Sequence, residues 1–218
     1  MCFFFQDILE LHKNVKTFYL IGYSFGSIIT LELAKILEES GLKGNLVLID
    51  GAPVFLKKLS VDHLTPDFTD ETIQTILLAN TIQSVFYQDN GEIIKLVLSK
   101  PTWDARIDKL IEFTTEHKLY SDSYTRSILN ALVNRIKLII NLDIELFKPL
   151  KHTLITLIRP TEASVFNIDE DYGLNNLSDH KINIKFVEGN HITMLENPKL
   201  TALINDLNPT NVLMDKQQ

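Results

Sequence analysis

The chain has 218 residues, 45% hydrophobic and 22% charged, which is enough for one sizeable core at an ordinary globular composition. Its formal net charge of −7 argues against a nucleic-acid backbone or an anionic membrane surface as partner. Cys2 is the single cysteine, so an internal disulfide and a cysteine-based zinc cluster are both excluded, in keeping with a reducing cytoplasm.

The opening "MCFFFQDILE" has neither the basic flank nor the cleavage site of a signal peptide, and no apolar run approaches the length of a membrane span. "VKTFYLIG" reads as a buried strand ending at Gly22. Beyond Phe25, the residues Ile29, Leu33, Ile36 and Leu37 recur at helical spacing, with Glu32, Lys35 and Glu39 on the opposite side and Gly41 as the stop. "NLVLID" is a second short strand, closed by the turn signal "GAP". Strand, turn, helix and strand make a βαβ crossover and predict a parallel pair.

From about Ser60 to Leu146 the texture is helical, marked by Ile73, Ile76 and Leu77, then Ile107, Leu110 and Ile111, then Ile128, Leu132, Ile136 and Ile139. Asp70 lies near the first helix start, and Ser121 or Ser123 caps the last. Such an insertion is either part of the layer packing or a cap over a site. Strand texture returns in "HTLITLI" and in "KINIKFVEG", before a last helix from about Pro198 to Leu207.

Gly22-Tyr23-Ser24-Phe25-Gly26 fits G-x-S-x-G. Alone the pentapeptide is a weak signal, but here it follows a strand and opens a helix, as a nucleophile turn requires. Glycines at both flanks are expected to let neighbouring elements approach without a Cβ clash. Ser24 Oγ would then stand at a helix N-terminus, with the backbone amide of Phe25 as one oxyanion donor. A neutral hydroxyl needs a base. Of the six histidines, His191 directly follows a strand end and a Gly-Asn turn, at the carboxyl edge where sites of open α/β folds lie. His12, His63, His117, His152 and His180 read as surface or loop residues. The imidazole in turn needs an acid. Asp50, which ends "NLVLID", and Glu162, just past the next strand, both satisfy the order serine, acid, histidine; Asp50 is favoured because it ends an apolar strand. The alternatives are a purely structural turn at Ser24 and an Asx-type cap at Asp50.

In this order, "GYSFGSIITLELAKILEESG", "LVLIDGAP", "TLIRPTEAS" and "VEGNHITMLENPKL" resemble the thioesterase domain of animal fatty acid synthase, of the insect type, from about Leu11 to Asp206. The resemblance implies an α/β-hydrolase with a mainly parallel sheet and a helical cap, residues 60–146, whose apolar helices supply an acyl groove. It implies release of a long-chain fatty acid from the 4′-phosphopantetheine of an acyl carrier protein domain in the cytoplasm, with no cofactor or metal of its own. It places the nucleophile on Ser24, the acid on Asp50 rather than Glu162, and the base on His191. Asn190 stands where the family leads one to expect aspartate.

Two expectations follow from the short lead before the first strand. Residues 1–218 form a single, N-terminally incomplete thioesterase domain lacking its early strands and a second oxyanion donor. The first strand then forms an open sheet edge that invites a homo-oligomer. Two other readings of the same residues are a peptide-synthetase-type thioesterase or esterase, and a catalytically impaired fragment that serves as an interaction module.

Overall fold

The computed structural model describes residues 16–63, 69–85, 91–116, 121–162 and 167–207. The lead "MCFFFQDILELHKN" lies outside them. The described strands β1 (Thr17–Tyr23), β2 (Lys43–Ile49), β3 (Thr153–Pro160) and β4 (Asn183–Val187) pair in parallel in the order β1-β2-β3-β4, so all four end at the same edge. This is the expected α/β architecture. Among the described residues β1 pairs only with β2, and Ile21 on it is 44% exposed.

Helix α1 (Gly26–Glu39) makes the crossover from β1 to β2 and packs on both strands. Its buried face is Ser27, Ile28, Thr30, Leu31, Ala34 and Leu37. The expected stripe is therefore rotated: Leu37 is buried, but Ile29 and Ile36 are 45% and 38% exposed. The reason is the turn that starts the helix. Ser27 is tied to Ser24 by a backbone N–H of 3.0 Å and a hydroxyl of 2.6 Å, both donated to the Ser24 carbonyl, which sets the helical phase. The face so aimed at the sheet is small and partly polar. A Cβ on Gly22 would overlap Thr30 Oγ1 and stand 2.8 Å from the Gly26 carbonyl, so strand and helix meet at glycine contact. A Cβ on Gly26, by contrast, would meet nothing within 4 Å among the described residues, which corrects the expectation that both glycines serve close approach.

The opposite face of the sheet buries Val47, Ile49, Ile158 and Val187 against Met194 and Leu200. Helix α7 (Pro198–Leu207) supplies Leu200, Leu203, Ile204 and Leu207 to this layer, and Tyr19 on β1 donates its hydroxyl to the Ile204 carbonyl.

The chain divides into two compact units, one containing residues up to Lys58 and from Asp143, the other Leu59–Leu142. Helix α2 (Pro53–His63), read as a turn from "GAP", spans the boundary. The second unit contains α3 (Asp70–Val85), α4 (Gly91–Leu98), α5 (Trp103–Glu116) and α6 (Asp122–Ile140) around Ile73, Leu78, Ile82, Val97, Ile107, Leu110 and Leu129. Ser121 is the N-cap of α6 and accepts from the Tyr124 amide. That helix buries Thr125, Leu129, Val133 and, as expected, Ile139; of the other expected residues Leu132 and Ile136 are partly buried against this core, while Ile128 is exposed. No helix among the described residues is long and apolar enough to cross a membrane.

Glu38 locks the end of α1 to the start of β3. Its carboxylate accepts from the Lys151 amide at 2.9 Å, the His152 amide at 2.7 Å and Thr153 Oγ1 at 2.6 Å. Partial burial pushes this carboxyl up, but the three hydrogen bonds and the His152 charge outweigh it, leaving it below the ordinary 4.5. A lowered folded value means a contribution fully present above the unfolded value and lost as pH falls through the folded one. Urea melts of the wild type and Glu38→Ala should therefore differ by a constant amount above about pH 5.5, one unit clear of that value, and converge in acid. In the same assay Gly22→Ala should lose about 1–3 kcal/mol from overpacking. Gly26→Ala should stay within about 0.5 kcal/mol of wild type.

Candidate functional site

Three loops at the carboxyl ends of β1, β2 and β4 build the site. At the end of β1 the chain turns sharply at Ser24, whose φ of +53° lies in the left-handed region. The turn is held on both sides: the Ser24 amide donates to Ile49 O at 2.9 Å, while its carbonyl takes both Ser27 donors. Gly51 keeps the neighbouring loop close, because a Cβ there would strike the Ser24 carbonyl and come within 2.5 Å of Ser27 Oγ. Phe25 follows as the N-cap of α1 without a side-chain cap hydrogen bond, so the positive end of the helix lies immediately after Ser24.

Asp50 leaves β2 with φ +42° and is fully buried. Its amide donates to Ile158 O at 2.8 Å, which anchors the turn to β3. His191 arrives after β4 through Gly189, at φ +111°, and Asn190. Asn190 Oδ1 accepts from the Ile192 and Thr193 amides, both at 3.0 Å. One acceptor oxygen serves both amides, so asparagine does here what an aspartate oxygen would do.

The three side chains meet. His191 Nδ1 lies 2.6 Å from Asp50 Oδ2, and His191 Nε2 lies 3.1 Å from Ser24 Oγ. With Nδ1–H donated to the carboxylate, Nε2 carries the lone pair and can accept the serine proton. Glu162 is exposed, with its amide on the Gly189 carbonyl, so the structure joins Asp50 and not Glu162 to the histidine. His152 and His180 are exposed, His63 is the last residue of α2, and His12 and His117 lie outside the described residues.

Two tyrosines that sequence reasoning passed over complete the surroundings. Tyr23 stacks on the His191 ring at 4.8 Å and 23°, and its hydroxyl donates to the His191 carbonyl at 2.8 Å. Burial, then the Asp50 charge, pushes its phenol up to about 12, which keeps it a neutral donor. Tyr172 donates its hydroxyl to Asp50 Oδ1 at 2.7 Å. Tyr23 occupied a variable position of the motif, and the only local signal at Tyr172 was the glycine after it.

The thioesterase domain family matches this chain over residues 4–210. The fold resembles that of a four-domain nonribosomal peptide synthetase, holo-AB3403 bound to AMP and glycine, at a TM-score of 0.66 and 16% identity, covering 94% of this chain and 15% of that one. It also resembles the RedJ thioesterase of the prodiginine pathway of Streptomyces coelicolor, at 0.56 and 18%, covering 92% of this chain and 66% of that one. The Vlm2 thioesterase domain bound with a dodecadepsipeptide matches at 0.57 and 16%, covering 94% and 74%. With the match spanning nearly its whole length, this chain belongs to the thioesterase domain family.

Proposed function

We propose that the chain is a serine acyl-thioester hydrolase that frees an acyl or peptidyl chain from the phosphopantetheine thiol of a carrier protein. The observation that carries this reading is the continuous hydrogen-bonded line from Asp50 Oδ2 through both nitrogens of His191 to Ser24 Oγ. Ser24 Oγ attacks the thioester carbonyl while His191 Nε2 takes its proton. The oxyanion forms at the N-terminus of α1, toward the Phe25 amide. The C–S bond then breaks, and the leaving sulfur takes the proton from His191 and departs as the thiol. Water, deprotonated by His191, attacks the acyl carbonyl, the C–Oγ bond breaks with the proton returned from His191 to Ser24 Oγ, and the free acid departs. Asp50 holds the imidazole tautomer and offsets the imidazolium charge.

Among substrates, the peptide-synthetase type is favoured, because the structural resemblances include a nonribosomal peptide synthetase and a thioesterase domain bound with a dodecadepsipeptide. The second reading is fatty acid synthase chain termination, which rests on the four sequence segments that resemble that domain.

A fluorophosphonate probe should label the wild type at Ser24 and leave Ser24→Ala unlabelled; an unlabelled wild type would favour the interaction-module reading. Asp50→Asn should cut turnover by about 10⁴ through loss of the tautomer lock. Gly51→Ala should cost about 10²-fold by displacing the serine turn. Competition between peptidyl and palmitoyl N-acetylcysteamine thioesters decides the substrate. Faster turnover of the peptidyl thioester is expected, and preference for palmitoyl would move the chain to fatty acid release.

We further propose that the protein self-associates through β1, which among the described residues pairs only with β2 and on which Ile21 is exposed. Sedimentation velocity should show a concentration-dependent dimer that Ile21→Lys shifts to monomer. A wild type that stays monomeric at high concentration would exclude it.

A further inference from the structure

Behind Asp50 lies a second arm of the site, built from β3 and the loop before β4. Tyr172 is 1% exposed, and its ring is held on both faces: Phe55 stacks at 4.0 Å and 5°, and the Arg159 guanidinium lies 4.3 Å from the ring centroid. Arg159 donates from Nη1 to the Glu170 carbonyl at 2.6 Å, while its buried Nε has no hydrogen-bond partner among the described residues. No ion pair between Arg159 and a carboxylate is found among the described residues. The guanidinium draws electron density from the phenol and so strengthens the phenol as a donor.

The backbone points the same way. Only four non-glycine residues among those described have positive φ: Ser24, Asp50, Asn167 and Tyr172, the last at +58°. Such a conformation is costly for a bulky aromatic residue, and it persists only where the surroundings over-determine it. Here the Asp171 carboxylate accepts from the Gly173 and Asn175 amides, at 3.0 and 2.8 Å, and so fixes the loop from beneath. Two of the other three strained residues are Ser24 and Asp50, members of the line to which Tyr172 is hydrogen-bonded.

Resting on the function proposed above, we infer that Tyr172 is a positioning residue for acyl transfer, fixing the Asp50 carboxylate through Oδ1 so that Oδ2 is aimed at His191. The two oxygens then have separate duties. Oδ1 takes the phenol hydroxyl at 2.7 Å and Oδ2 takes His191 Nδ1–H at 2.6 Å, so the carboxylate plane cannot rotate without breaking one of them. Burial, then the hydrogen bond and charge of Asp50, raises the phenol well above its ordinary value, with Arg159 opposing. The hydroxyl is thus a donor throughout the working pH range.

The test uses the full chain, turnover of a short acyl N-acetylcysteamine thioester, and normalisation to fluorophosphonate-titrated Ser24, so that unfolded molecules do not count. Tyr172→Phe keeps the stacked ring and removes only the donor. It should lower kcat about tenfold, the lower end of what a hydrogen bond to a charged group is worth, with KM changed less than about twofold. Replacing Tyr172 by 3-fluorotyrosine keeps ring and hydroxyl and should restore kcat to within about threefold of wild type, by retaining the donor. Combined with Asp50→Asn, the loss from Tyr172→Phe should shrink below about twofold, because the two act as one unit. Unchanged kcat per titrated site in Tyr172→Phe, or the same factor lost in both backgrounds, would overturn the inference and leave the proposed function standing. A wild type that neither labels nor hydrolyses would overturn both.

Discussion

The arrangement depends on one buried carboxylate. Asp50 has no solvent exposure, and a carboxyl group withdrawn from water must find its hydrogen bonds inside the protein. His191 supplies one partner and Tyr172 the other, and each requires its own loop to reach the same point at the end of β2. The parallel sheet makes this feasible. In register, Tyr23 lies beside Ile49 and Ile49 beside Ile158, so the loops that follow β1 and β2 start side by side, two residues short of the end of β3. Left-handed turns at Ser24 and Asp50 then bend the chain over the sheet edge. Each costs on the order of 1–3 kcal/mol, a strain that only the surrounding close packing can hold.

Legibility in the sequence followed the strands. Ser24, Asp50 and His191 each come just after an apolar β-run, and α/β topology sends the ends of such runs to one edge, so their meeting could be anticipated from order and position. The choice between Asp50 and Glu162 turned on the same point, since the aspartate ends its strand and the glutamate lies two residues beyond β3, in solvent. Tyr172 could not be anticipated. It sits in irregular chain between β3 and β4, and its role depends on Phe55 and Arg159, which are distant in sequence.

Helix faces were less legible than helix existence. In α1 the apolar residues Ile29 and Ile36 advertise a face that points away from the sheet, while the buried face contains Ser27, Thr30 and Ala34. Periodicity weighs large apolar residues, yet the closest packing is made by small ones, and the hydrogen bonds of the turn outrank hydrophobicity in setting the phase. In α6 the departure is smaller: Ile139 is buried as its spacing predicts, while Thr125 is buried and Ile128 exposed.

The glycines separate motif from cause. Two of them flank Ser24 in the pentapeptide, yet the contacts give them different standing. Gly22 is required because Thr30 and the Gly26 carbonyl occupy the space a side chain would take. Gly26 is not required on that ground among the described residues. Gly51, outside the pentapeptide and next to the acid, holds the place that the motif would assign to Gly26, since a side chain there would press on the Ser24 carbonyl. That carbonyl accepts both Ser27 donors, so pressure on it would reach the helix phase as well as the serine. The nucleophile turn is therefore a two-loop structure. Its backbone shape is written by β1 and α1, and its position by the close approach of the loop that also presents Asp50.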